Sequence, residues 1–383
     1  MARKTMSWDP SLYQTNVWNR LVKIIDSNRI GNAYLFSGPE GCGKEATAIS
    51  FAAALNCKGE DALCGICTSC KRFASLQHEH LHIVTPLPRV KDGVDRDTDV
   101  LTIIGKNNHE LLTDLLRKKG SDPFVKIQLP KSNRILINSI RELRKKLYLK
   151  SIDQGVKTVL IFDAHYLSIG DGASANALLK ILEEPPSKTT LILVTNHKSL
   201  LLPTIQSRCQ QIDFPPLPED IIQSYFESTG ISSKESEFYA VLADGNIQRA
   251  KYLQKRSVKI ILEEMKEQVE AIVNSNSAGW RKFINEMSRL ARSDIEEFKY
   301  KLFLVQTWFL QTYRIKQNLT APLAQNGFTD SITSFSTLFP GADFSAINSA
   351  IEDAINSINK NFYMPLKLTN MLIDIQHHLQ GNN

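Results

Sequence analysis

Between Tyr34 and Glu45 the chain reads YLFSGPEGCGKE, an apolar run that breaks into glycines and a lysine just before a helical pattern beginning near Ala46. Few folds accommodate a strand, a glycine-rich loop and a helix N-terminus in that order. The loop must turn its backbone N–H groups inward around an anion, so it reads as a phosphate-cradling P-loop. Gly38, Gly41 and Gly43 permit the turn, and Lys44 is spaced to reach the outer phosphates. The next residue departs from the pattern. A P-loop carries Ser or Thr there to place a hydroxyl on magnesium, whereas this chain has Glu45, a negative charge beside a polyanion. The expectation is P-loop architecture with weakened magnesium-dependent ATP or ADP binding.

A second departure lies far along the chain. Lys157 to Phe162 has the pattern of a buried parallel strand and ends in Asp163, where a P-loop protein holds magnesium through water. The glutamate that activates the attacking water would come next, but the position holds Ala164, which accepts no proton. His165 is one residue out of place to substitute for it. Hydrolysis by this chain alone is therefore not expected. The strand Thr190 to Val194 follows, with Thr195 and Asn196 at its carboxyl end, where ligands sit in open α/β sheets. Asn196 joins the candidate nucleotide residues.

Four of the six cysteines crowd into one short stretch. Cys57, Cys64, Cys67 and Cys70 give one longer gap and two C-x-x-C steps, a spacing that lets four thiolates converge on a single structural zinc ion. Free thiols or a redox pair are the other readings. His78, His80 and His82 alternate just beyond, and read as surface histidines opening a strand rather than as further ligands. Residues 86–130 mix prolines, charge and one helix over His109 to Lys118; they read as an insertion without identifiable chemistry. Ser139 to Lys150 is helical, with Arg141, Arg144, Lys145, Lys146 and Lys150 outward. Such a face meets phosphates or simply faces solvent.

The chain has 383 residues, 42% of them hydrophobic and 22% charged, enough for two or three domains. Its 46 basic against 40 acidic residues are too mild an excess for bulk charge to imply a nucleic-acid partner. There is no apolar run of membrane-spanning length and no signal-like N-terminus, so a cytoplasmic protein is expected.

Taken together, GPEGCGKE (38–45), the cysteine module, IFDAH (161–165), NALLKILEEPP (176–186), LILVTN (191–196) and LPTIQSRCQ (202–210) resemble the clamp-loader subunits of bacterial DNA polymerase III. The likeness spans most of residues 8–255. Glu45 and Ala164 are similar to the delta-prime type rather than the tau/gamma ATPase. The resemblance implies an α/β AAA+ module, a parallel sheet with helices on both faces and an inserted zinc module, over 1–214. It further implies a small helical lid over 215–255 and an all-α collar over 256–383 that joins five subunits in an open ring. Its implied partners are the tau/gamma and delta subunits, the sliding clamp and primer-template DNA, the last facing Arg141, Arg144 and Lys145.

The same resemblance makes Arg208, in the Ser-Arg-Cys element, an arginine finger reaching the ATP of a neighbouring subunit. Without it, Arg208 reads as a surface arginine at a strand edge. Arg249 falls at the lid's sensor arginine, or is a packed remnant of one. Beyond Tyr252 the periodicity is helical, with stretches at 257–274, 294–317, 344–359 and 363–380, and shows by itself a helical bundle. An active tau/gamma-like ATPase subunit and a purely structural ring scaffold are the rival functions.

Overall fold

Five short segments form one parallel sheet: β1 (Ala33–Ser37), β2 (Leu81–Val84), β3 (Lys157–Ile161), β4 (Thr189–Thr195) and β5 (Gln210–Asp213). Their order is β2-β3-β4-β1-β5, with every pair parallel. β1 and β4 are buried from end to end, which is why they read as unbroken hydrophobic stretches. Side chains still alternate. Tyr34, Phe36, Leu160, Phe162, Ile192 and Val194 enter the core on one face, while Leu35, Val159, Ile161, Leu191 and Leu193 enter the core on the other.

A computed structural model of the chain describes residues 9–59, 62–89, 98–149, 155–274, 276–319, 328–360 and 362–381. Lys150, expected on the basic helix, lies outside them. Two units emerge, Met1–Tyr225 with Asp244–Arg249, and Phe226–Ala243 with Ala250–Asn383.

Connectivity places the site in the first unit. From β1 the chain crosses to the β2 edge, and from β4 it crosses to β5 on the opposite side of β1. The carboxyl ends of β1 and β4 therefore flank a crevice, with Ser37 in register with Thr195. The helix after the glycine loop, Lys44–Ala54, is buried at every residue except Glu45. In the insertion the structure has more order than expected. Asp99 accepts from Leu101 N and Thr102 N at 3.1 and 3.2 Å, capping a short helix, Val100–Ile104. A sixteen-residue helix, Lys106–Ser121, follows. Ile135 and Leu136 are buried without forming a strand, and the basic helix starts earlier than expected, at Ile137–Tyr148.

The second unit is helical throughout its described residues. Its 22-residue helix Ile295–Lys316 buries Trp308 and Phe309. Trp308 meets Phe328 and Phe335 edge-on, and Phe309 stacks on Phe344 of Phe344–Asn356. Gln376, on Met364–Gln380, donates to the carbonyls of Ile272 and Val273, both at 3.0 Å, satisfying the end of Val258–Val273. Helices Ser277–Ser293 and Thr329–Leu338 were not among those expected. No helix among the described residues is long and apolar enough to cross a membrane.

Candidate functional site

The glycine loop has the backbone its sequence demands. Gly38, Gly41 and Gly43 have φ of 152°, 70° and 87°. A Cβ on Gly41 would lie 1.7 Å from Asn246 Oδ1, so the loop and the turn at 246 need glycine to approach so closely. Ile247 N donates to Gly41 O at 3.1 Å, and Gln14 Nε2 to Cys42 O at 2.8 Å. Lys44 does not reach outward. It is buried, donates to the carbonyl of Pro39, and has its Nζ 3.4 Å from Cys42 Sγ. Burial lowers its pKa, with Cys42 opposing that change.

Two lysines that sequence reasoning missed come from the insertion. Lys119, its side chain fully buried, donates to Glu45 Oε2 at 2.5 Å, Val125 O at 2.8 Å and Pro123 O at 3.0 Å. It also lies 5.0 Å from the centre of the Phe162 ring. Lys126 donates to Asp163 Oδ1 at 3.0 Å, with Glu40 Oε1 at 3.9 Å. Burial works against its charge, yet Asp163, Glu40 and Glu45 outweigh it and raise its pKa. The reading of 86–130 as a stretch without chemistry is thus corrected: it supplies both counter-ions of the loop. The available signal was Glu45 itself, a carboxylate in a buried helix that required a partner.

Asp163, two residues beyond β3, is in the left-handed region, at φ 48°. His165 is buried. Its Nδ1 pairs with Thr195 Oγ1 at 3.1 Å, and its ring meets His197 edge-on. Burial, then His197 and Lys126, bring its pKa down to about 3. Asn196 lines the crevice. Arg249 is half-buried at the start of Ile247–Leu253, where Asn246 Oδ1 accepts from Gln248 N and Arg249 N, both at 3.0 Å. Gln248 Nε2 donates to Phe124 O at 2.7 Å, tying the insertion down.

What remains of the crevice is a cavity of about 30 Å³ between Gly41, Lys44, Lys126, Asp163, Asn196 and Gln248. That holds a water or two. With Lys44 folded back and Asp163 already paired, these residues do not fit a magnesium nucleotide.

The cysteines do fit a metal. The four sulfurs lie within 4.8 Å of one another, and Cys64 and Cys70 are 3.9 Å apart. Tetrahedral zinc with Zn–S of about 2.3 Å needs edges of about 3.8 Å. Backbone N–H groups already point at sulfur. Cys70 N donates to Cys67 Sγ, Cys67 N to Cys64 Sγ, and both Gly59 N and Cys64 N to Cys57 Sγ, all at 3.4 Å. Burial pushes the Cys67 thiol up, but the N–H groups of Lys58 and Cys70 outweigh it and bring its pKa down to about 6. The four cysteines would hold the ion as a closed structural shell, leaving no position for water. His78 and His80 are buried rather than superficial, which corrects the sequence reading. His78 stacks on Phe73, pairs with Ser69 Oγ at 3.1 Å and accepts from His80 N at 3.1 Å.

Arg208 follows the short helix Pro203–Gln206 and precedes β5. Its side chain is 38% exposed and donates to Thr204 O at 3.0 Å and Glu183 Oε1 at 2.8 Å. On Ile137–Tyr148, Arg144 and Lys145 are exposed and Arg141 is half-buried; Lys146 pairs with Glu142 at 2.7 Å.

A family profile described as DNA polymerase III, delta subunit, matches residues 13–218, more than half of the chain. The DNA polymerase III subunit delta' of Bacillus subtilis is 31% identical over 220 residues, 57% of this chain and 53% of that protein. The DNA polymerase III subunit gamma/tau of Mycobacterium tuberculosis is 30% identical over 207 residues, 54% of this chain and 28% of that protein. The chain thus spans between about a quarter and half of these relatives' lengths. A solved DNA polymerase III gamma subunit-related protein from Thermotoga maritima aligns with 94% of this chain and 99% of its own at 17% identity. Its TM-score of 0.38 is too low to add to the assignment.

Proposed function

This chain belongs to the DNA polymerase III delta-subunit family, and from that premise we propose that it is a delta-prime-like clamp-loader subunit that hydrolyses no ATP itself. In this reading it offers Arg208 to ATP held by a neighbouring tau/gamma subunit and helps load the sliding clamp onto primer-template DNA. The observation that carries the reading is a contrast within one sheet: the chain's own P-loop is filled, while Arg208 stands half-exposed at the far side of β1. A permanently charged planar fork suits the charge developing on a transferred phosphoryl group. Its pair with Glu183 does not stand in the way. Exposed ion pairs contribute about 0–1 kcal/mol, so exchanging that carboxylate for a phosphate costs little.

The proposed architecture follows the family: an AAA+ module over 1–214, a lid over 215–255, a collar over 256–383, and one zinc ion on Cys57, Cys64, Cys67 and Cys70. Arg141, Arg144 and Lys145 are its DNA-facing residues. The Arg208–Glu183 contact also suits the scaffold reading, in which this arginine only ties two helix ends. DNA- and clamp-stimulated ATP turnover by the reconstituted complex separates the two. With Arg208→Ala and assembly intact, turnover at the adjoining interface falls by about 10³-fold or more, diluted in the total by the remaining interfaces. Unchanged turnover means that Arg208 is structural.

A further inference from the structure

The fold supplies a P-loop that does not fit the ligand such loops bind, and the misfit has named causes. Nucleotide binding asks three things of this crevice: a free lysine at 44, a carboxylate at 163 able to reach hydrated magnesium, and open volume above the loop. Each is met by a group from this chain instead. Lys44 is turned onto Pro39 O. The ammonium of Lys126 sits 3.0 Å from Asp163 Oδ1. The turn Pro123 to Val125 lies over the loop, pinned through its carbonyls by Lys119 and Gln248.

We propose that segment 119–126 is the permanent occupant of the P-loop, with Lys119 and Lys126 as the residues that decide against nucleotide. The inference deepens the non-hydrolysing part of the function proposed above and rests on it; the role of Arg208 does not depend on it. Three observations carry the assignment. All three N–H donors of Lys119 are used, on Glu45, Pro123 and Val125, so nothing is left over for a phosphate. The charges at the crevice balance: Lys44, Lys119 and Lys126 against Glu40, Glu45 and Asp163. A triphosphate entering would have to strip a buried ammonium from its carboxylate before gaining any contact. Finally, the space left above the loop is about 30 Å³, room for a water or two.

An alternative cause is that Glu45 alone, by replacing the magnesium hydroxyl, explains the loss. The two are separable by equilibrium titration of the full chain with a fluorescent ATP analogue and magnesium. Wild type and Glu45→Thr are expected to show no saturable binding up to about 1 mM, while Glu45→Thr with Lys119→Met and Lys126→Met binds at least about tenfold more tightly. The proposal is overturned if wild type binds below about 100 µM, if Glu45→Thr by itself restores binding, or if the triple variant, folded by circular dichroism, gains nothing. Should the triple variant not fold, lysine acetylation of the wild-type chain read by mass spectrometry decides. Lys119 should label at least about tenfold more slowly than Lys106, whose side chain is 87% exposed, with or without magnesium ATP. Equal labelling, or release of Lys119 by ATP, sinks the idea. These assays use the chain alone and read binding or exposure, so their failure cannot be confused with failure of the Arg208 turnover test.

Discussion

The cysteine module and the glycine loop are equally plain in the sequence, yet they reach opposite states in the fold. At the first, four sulfurs converge with backbone N–H groups aimed at them, a shell that an external ion would complete. At the second, the loop is formed with the glycine dihedrals expected of it, and the chain fills the space with its own turn and two ammonium groups. A motif therefore fixes backbone shape, while what occupies that shape is decided by residues far away. Lys119 is 74 positions from Glu45, and Lys126 is 37 from Asp163.

The comparison breaks most readily at the cysteines. Protein purified without chelator should carry one equivalent of zinc, and Cys67→Ser or chelation should remove it and unfold the module around Thr68–Ala74. Structural zinc contributes on the order of 10 kcal/mol in small sites, which makes this the largest effect foreseen. Metal analysis giving clearly less than one equivalent would place both motifs in the same class, shapes without an external ligand.

A smaller effect sharpens the other half. Lys119→Met leaves Glu45 with a charge in a largely buried helix and should cost about 3 kcal/mol in denaturant unfolding. Adding Glu45→Met should return most of that loss, since an apolar pair needs no counter-ion. Equal costs for single and double variants would mean that Lys119 matters by packing on Phe162 rather than by charge.

The smallest near neutral pH is a pH effect centred on His165. His165 is held at about 3 in the fold against an ordinary 6.5. The unfolded chain therefore binds a proton that the folded chain refuses. The stability involved is intact above pH 6.5 and declines as pH falls toward 3, by up to about 1.4 kcal/mol per pH unit. His165→Gln, which can still pair with Thr195, should flatten that slope in comparison with wild type. Parallel slopes would show that His165 titrates freely.

Much of this was readable beforehand because it is local. β1, β3 and β4 are continuous apolar runs, the loop announces itself by glycine spacing, and the cysteines by theirs. The counter-ions were not readable, because a buried lysine has no signature until its partner is known. His78 and His80 were misread for the same reason: a histidine looks polar in sequence, and its stacking on Phe73 exists only in three dimensions. Ser277–Ser293 was missed because it is polar over most of its length and buries only Phe283, Met287 and Ser288. The role proposed for Arg208 was not legible in the residue itself, since an arginine before a strand carries no signature of its own; the fold adds that it is half-exposed on Glu183.

The Lys126–Asp163 contact has a consequence for timing. A diffusing magnesium nucleotide comes and goes with its concentration, so a site that uses one reports the cell's energy state. A lysine carried on the same chain as its carboxylate is present at a constant effective concentration, whatever the ratio of ATP to ADP. A subunit built this way has no nucleotide clock. In the clamp-loader reading proposed above, it is the part that would keep the same shape from one cycle of its neighbours to the next.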